Sequence, residues 1–460
     1  MDTKQPEPSV AQCVLRAIFA LLLLCLTARP HESAAELPTF EERFCFAEPY
    51  DKPCAVFPLD QTDFSEFFEY MIVEAKAQEP FDFFSWQAFV ALNWPYDSPQ
   101  EPSPALSGSG SYAWTFYERR DDVVSDSRAA DAHCRDPSDG RGVFTRDLAQ
   151  ADGNVLIDSR RNFIVYETRM NEVAAAYIRS NALNTLAGQE TFAPNAISFP
   201  LGGDGRAPSV LIKTAWRVLT GEPTDSRYLQ SSGTISVPAA RSETGAPLCL
   251  DVRLGLVGMH IVSRVKSGNG DEWIWSTFEH RDNVPIAENA RNINSIYALD
   301  LFPGGCKAPV KSAGNSPMAG DYAFFDPDCP TCTTNEPDGN RWRWAATTPF
   351  ARLNGVLPDR GNQIVRCWDI FPRTDEINAQ WQAALTGSVL ANYMLVSTQW
   401  RGANASAMFE HGEVPRYVSN TTLETYLQYE KTGSCLGCHA DATSAAGQPA
   451  NFTFLLQNAD

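Results

Sequence analysis

The chain has 460 residues, a formal net charge of −19, and 43% hydrophobic against 20% charged residues. That balance suits a folded chain with a substantial core and excludes a disordered one. So acidic a surface repels nucleic acid and anionic lipid, and attracts a basic partner at a salt-dependent rate.

At the N-terminus, Arg16 precedes an apolar run from Ala17 to Ala28. The run suits a signal-peptide core and falls short of the roughly 20 residues that span a bilayer. Ser33, Ala34 and Ala35 supply the small residues of a cleavage site, so residues 1–35 read as a signal peptide cut after Ala35. Its charges Lys4, Arg16 and Arg29 cancel Asp2, Glu7 and Glu32, so the mature chain keeps the full −19. Export predicts a periplasmic or secreted protein. It also predicts disulfides among Cys45, Cys54, Cys134, Cys249, Cys306, Cys329, Cys332 and Cys367. Spacing favours only the local pairs Cys45 with Cys54 and Cys329 with Cys332.

Residues 36–420 read as a main body. Helical spacing of Phe64, Phe67, Phe68, Met71 and Ile72 predicts a helix over Asp63–Lys76, and Ser85–Asn93 predicts a second. Residues 97–112 read as a loop. Asn162–Met170 predicts a strand, Glu172–Leu186 a helix stopped by Gly188, and Leu211–Leu219 another strand. On that strand Ile212, Thr214, Trp216 and Val218 share one face, and Lys213 and Arg217 the other. A hairpin is expected between Leu250–Val265 and Glu272–His280. If its register centres near Gly270, His260 and His280 share a face. A one-residue slip separates them. Residues 304–345 are turn-rich. Glu376–Leu385 reads as a helix capped by Thr374 or Asp375, and Thr421 to Glu424 as a capping box before a short helix. Strands and helices without strict alternation predict an α+β fold. Its expected form is a central antiparallel sheet with surrounding helices, long loops and a docked C-terminal segment, 421–460.

That segment contains Cys435-Leu436-Gly437-Cys438-His439. Composition alone would produce C-x-x-C-H roughly 0.004 times in this chain, so the pattern is specific. Two thiols so spaced on a helical turn match the two vinyl groups of a haem, and the adjacent imidazole reaches the iron. The expectation is one covalent haem c held by Cys435, Cys438 and His439. A zinc site of the Cys/His kind would need a further ligand, and no Cys or His follows in Ala440–Asp460. Only 21 residues follow His439, so the main body must supply the distal side. Candidates for a distal ligand are His260 and His280 on the hairpin. His133, His411, Met259, Met394 and Met408 stand behind them. Lys213, Arg217 and Arg264 are candidate partners for haem propionates. Cys329-Pro330-Thr331-Cys332 lacks a following His and the strand and helix of a thioredoxin-like site, so it reads as a structural disulfide.

Several stretches resemble large bacterial proteins described only as "cytochrome c family protein". They include Ser85–Pro95, Tyr166–Asn171, Ile212–Leu219, Gly255–Ile261, Trp275–Asn283, Asn392–Trp400, Asn420–Tyr426 and Ser434–His439. The resemblance implies a single haem c and names no substrate. The expected function is an exported monohaem electron carrier working with a redox partner protein that is basic where it docks. The alternatives are a peroxidase- or oxidase-like haem enzyme and a haem-based sensor, each with an open iron.

Overall fold

A computed structural model describes residues 53–59, 74–125, 134–136, 140–194, 196–267, 270–291, 306–309, 322–329, 331–339, 341–401, 412–428 and 433–460. The expected signal peptide, Cys45, His133, Met408, His411 and most of the expected helix over Asp63–Lys76 lie outside these residues.

The fold is α+β, built on a nine-stranded, almost wholly antiparallel sheet. Its strands are β1 (Glu118–Arg119), β2 (Val143–Thr145), β3 (Val165–Met170), β4 (Ser209–Leu219), β5 (Gln230–Val237), β6 (Leu248–Ser267), β7 (Gly270–His280), β8 (Tyr393–Arg401) and β9 (Glu413–Val414). The order is β9-β8-β7-β6-β4-β3-β1. Twenty-residue β6 is long enough to pair β5 with its first half and β7 with its second. β2 runs parallel to β5, and a bridge from Asp147 to Tyr166 ties the chain after β2 back to β3. One end of the sheet therefore curls towards closure, which protects strand edges.

Alternation along the strands gives the sheet two faces. The first carries Ile212, Met259, Ile261 and Phe278 against helices α1 (Glu74–Leu92) and α3 (Pro372–Ala384). Trp86 of α1 stacks on Trp381 of α3 at 5.6 Å, and Phe89 stacks on Phe278 at 4.2 Å. The Trp86 indole donates to Asn378 Oδ1 at 3.0 Å, satisfying its one polar atom in the core. Each of these aromatics is fully buried, and burying one contributes about 1.5–3 kcal/mol. The second face carries Leu211, Val262, Trp273 and Trp275, covered by helix α2 (Glu172–Ser180) and by the C-terminal segment.

Several local expectations are corrected. α2 stops at Ser180, because Asn181 and left-handed Ala182 (φ 53°) turn the chain. A second short helix follows over Leu186–Thr191, and Gly188 lies inside it, its N–H held by the Thr185 hydroxyl. The expected loop 97–112 contributes to a small three-stranded sheet. α3 starts at Pro372, and Thr374 does not cap it but donates to the buried carboxyl of Asp82 at 2.6 Å. Residues 421–426 form turns rather than a helix. The disulfides are Cys134–Cys249, Cys306–Cys367 and the expected Cys329–Cys332, and Cys54 is also disulfide-bonded. Among the described residues no helix is long and apolar enough to cross a membrane.

Candidate functional site

The hairpin register decides which histidine reaches the C-terminal segment. Ser267 pairs with Gly270, and in the same register His260 pairs with Thr277. His280, three residues beyond Thr277, therefore points to the other face. The condition for a shared face fails. His280 is buried between Tyr228, stacked at 4.1 Å, and the edge of Tyr393, with Nε2 3.1 Å from the Arg227 carbonyl. Met259 lies in the core on the same side, and Asn93 donates to its sulfur at 3.8 Å.

On the second face, short polar contacts seat the chain from Asn420 onward. Asn420 Nδ2 donates to Thr277 Oγ1 at 3.1 Å and to the Phe278 carbonyl at 2.9 Å. Glu279, fully buried, accepts from the Thr421 N–H at 2.6 Å and pairs with Arg366 at 2.6 Å. The chain passes so close to the sheet at Gly258 that a Cβ there would meet Thr422 Oγ1 at 2.1 Å. Gln399 of β8 then holds the next element at both ends of its amide. Its Nε2 donates to Ser434 Oγ at 3.0 Å, and its Oε1 accepts from the Leu436 N–H at 2.6 Å.

The held element is helix α4 (Cys435–His439), a single turn capped by Ser434 Oγ, which accepts from Gly437 N–H at 2.9 Å. Cys435 and Cys438 are free thiols. Burial foremost, with the nearby Glu424 carboxylate, pushes the Cys435 thiol well above its ordinary range, and the same causes raise Cys438. Both are therefore thiols rather than thiolates at neutral pH. The His439 ring sits between Trp275 (4.3 Å) and Phe454 (4.9 Å), with Nδ1 3.0 Å from the Phe452 carbonyl. Burial lowers its pKa to about 4, so it is neutral near pH 7, and the Phe452 carbonyl selects the tautomer with hydrogen on Nδ1. Nε2 is left with its lone pair and no hydrogen-bond partner among the described residues.

These groups open onto a cavity of about 330 Å³ between α4 and the sheet, whose walls include Tyr166, Lys213, His260, Trp275, Glu424 and Leu455. His260 Nε2 lies 3.0 Å from Glu424 Oε2. Burial would raise the Glu424 pKa, but His260 foremost, then Lys213 and the Asn420 N–H, hold it below the usual value. Sequence reading treats Glu424 only as a capping residue. Its carboxylate does accept from the Asn420 N–H at 3.3 Å, yet it reaches His260 as well.

Of the sequence-derived residues, the fold brings Cys435, Cys438, His439, His260 and Lys213 to one cavity. It places His280 and Met259 on the far face. Arg217 is bound to Asp158 at 2.9 Å, and Arg264 to Ser198 Oγ at 2.9 Å, outside the cavity walls. Met394 on β8 pairs with Glu279, also outside. Trp275 was visible only as a member of an expected strand, and Gln399 only within the resembling stretch Asn392–Trp400, where no strand was expected. Among the described residues no group of three or more His, Cys, Asp or Glu converges as a metal cage.

No family model, curated protein or solved structure matches this chain.

Proposed function

We propose that this chain is an exported c-type cytochrome carrying one haem, which exchanges electrons with a protein partner that is basic where it docks. One observation carries the reading. Seven of the nine described cysteines are in disulfides, whereas Cys435 and Cys438, two residues apart on one helical turn, are free thiols at a cavity wall. The oxidised cysteines also favour a periplasmic or secreted location.

The residues fit the group. Protonated thiols are what thioether formation with vinyl groups consumes, and both sit beside space rather than against a partner. His439 is neutral, oriented through Nδ1, and has its Nε2 lone pair unclaimed, the state in which imidazole binds iron. When bound, the haem supplies a one-electron redox centre. Trp275, Phe454 and Leu455 exclude water from it, and Gln399 and Ser434 fix the helix that carries it. The acidic surface steers the basic partner into encounter.

A second reading is an open iron site serving catalysis or sensing. The observation in its favour is that His260 Nε2 is already engaged by Glu424, so ligation through that atom requires breaking a charge-assisted hydrogen bond.

The test is to express the full chain in a host that matures c-type haem. The denatured protein should keep one haem by mass, and Cys435→Ser with Cys438→Ser should abolish it. Loss of all haem on denaturing the native protein would overturn the reading. Reduced bands indifferent to CO favour electron transfer, and bands that shift with CO favour the open site.

A further inference from the structure

We propose that the Cys329–Cys332 disulfide is a thiol–disulfide exchange site that accepts two electrons from a dithiol, with Arg360 assisting its opening. From sequence the bridge reads as structural, because the strand and helix of a thioredoxin-like site do not flank it. The structure places a cation where such a helix would act. Arg360 Nη1 lies 3.7 Å from Cys332 Sγ.

The bridge adds little to the fold, because the chain on either side of it is already tied to one stretch. Upstream, the Asp326 N–H donates to Gln363 Oε1 at 3.0 Å. Downstream, the Asn335 N–H donates to the Gln363 carbonyl at 2.8 Å. The Asn335 side chain also donates to the Val365 carbonyl and accepts from the Val365 N–H, both at 3.0 Å. Between these ties the Cys332 N–H donates to the Cys329 carbonyl at 3.1 Å, so the turn that holds the two sulfurs together does not depend on their bond. A bridge stabilises chiefly by restricting the unfolded chain, and does so more for longer loops. Cys329 and Cys332 are 3 positions apart, against 61 for Cys306–Cys367 and 115 for Cys134–Cys249. The two long bridges are placed to hold the chain, and the short one to open and reclose.

Both cysteines are half-buried, so a thiolate reaches them from solvent. Attack on Cys329 Sγ forms one S–S bond, breaks the Cys329–Cys332 bond and releases the Cys332 thiolate beside Arg360. A neighbouring cation favours the thiolate, and a thiol of lower pKa leaves faster. Asp326 Oδ2 lies 3.4 Å from the same Nη1 and offsets part of its charge. Arg360 is 44% exposed, so water and salt hold the effect to a few-fold. The partner's second thiolate then attacks the partner's own sulfur in the mixed disulfide, which closes the partner's disulfide and releases Cys329. Two electrons pass from the dithiol to the bridge, and the two protons the dithiol gives up end on Cys329 and Cys332. A monothiol stalls, because Cys332, held in the same turn, expels it from the mixed disulfide.

Dithiothreitol serves as the probe. The full chain, as wild type, Arg360→Gln, Arg360→Lys and Asp326→Asn, is held in dithiothreitol buffers of graded poise, alkylated with iodoacetamide and read cysteine by cysteine by peptide mass. The readout is alkylation, so haem content does not enter it, and the function proposed above stands or falls separately. Cys329 and Cys332 should open together at a milder poise than the other two bridges. R360Q should slow the opening about threefold or more, R360K should restore it and D326N should speed it. The urea midpoint of the double variant Cys329→Ser, Cys332→Ser should stay at the wild-type value. Opening no earlier than the other bridges, a rate indifferent to R360Q, or a lowered midpoint in the double variant overturns the proposal.

Discussion

His439 Nδ1 and the carbonyl oxygen of Phe452 lie 3.0 Å apart, across thirteen residues of the C-terminal segment. The contact makes the chain after the C-x-x-C-H turn part of the site: it sets the tautomer and aims Nε2. Replacing His439 by Ala should leave the Cys435 and Cys438 thiols in place while removing the nitrogen they flank. The expected result is attached haem in reduced amount, with a visible spectrum altered in both oxidation states. A wild-type spectrum in H439A would show that this nitrogen does not bind the iron.

Two buried groups on the opposite face give stability opposite dependences on pH. His280 is fully buried, and burial brings its pKa down to about 4 against the pull of Asp282 and the Arg227 carbonyl. An unfolded histidine titrates near 6.5, so the unfolded chain binds more protons between these values. The stabilisation is complete above about pH 6.5 and is lost as pH falls towards 4, by up to about 3 kcal/mol. Asp82 is the converse case. Burial raises its pKa to about 7 although Thr374 and Gln78 donate to it. Its contribution is complete near pH 4 and is lost as pH rises through 7. Denaturant unfolding at about pH 5 and about pH 8 should therefore show H280Q losing less on acidification than wild type, and D82N losing less at the alkaline end. Slopes unchanged in both variants would contradict these assignments.

Gln399 ties β8 to the turn of α4 through Ser434 Oγ and the Leu436 N–H, and its amide also donates to the Pro415 carbonyl. Replacing it by Leu keeps volume but strands buried partners, and each lost buried hydrogen bond costs about 1–3 kcal/mol. Q399L should destabilise the chain by a few kcal/mol and speed amide exchange at Leu436 and Gly437 ahead of the sheet. Exchange there at the wild-type rate would mean that α4 is held by something else.

The sheet was legible because its strands are long and alternate cleanly. Leu211–Leu219 showed both faces in nine residues, and the placement of Lys213 opposite Trp216 followed from period two alone. The C-x-x-C-H turn was legible because its chemistry fixes spacing. The register of the hairpin was not, since Gly268, Asn269 and Gly270 all permit a turn, and choosing among them moves His280 from one face to the other. Glu424 and Gln399 were hidden for a different reason: their partners, His260 and Ser434, lie 164 and 35 residues away. Long-range pairing of single polar residues leaves no periodic trace. Helix ends failed where a side chain had a tertiary use, as when Thr374 served Asp82 instead of the helix cap.

Gly258 offers a sharper check that the C-terminal segment rests on the sheet as described. A Cβ there would fall 2.1 Å from Thr422 Oγ1 and 3.1 Å from Asn420 Oδ1, and the latter is itself fixed by Thr277 and Phe278 through the same amide. Gly258→Ala should therefore be unfavourable by about 1–3 kcal/mol, the cost of overpacking, even though alanine suits a strand better than glycine does. The offending atom is a side-chain hydroxyl, so the loss should be largely recovered when Thr422→Ala is added. Thr422→Ala alone gives up a hydrogen bond to Asn420 Oδ1 at 2.8 Å and should cost about 1 kcal/mol. The double-mutant cycle then carries a favourable coupling of about 1 kcal/mol or more. Additive effects would mean that residue 422 does not sit on Gly258, and would detach Glu424 and the cavity wall it forms from the place given to them here.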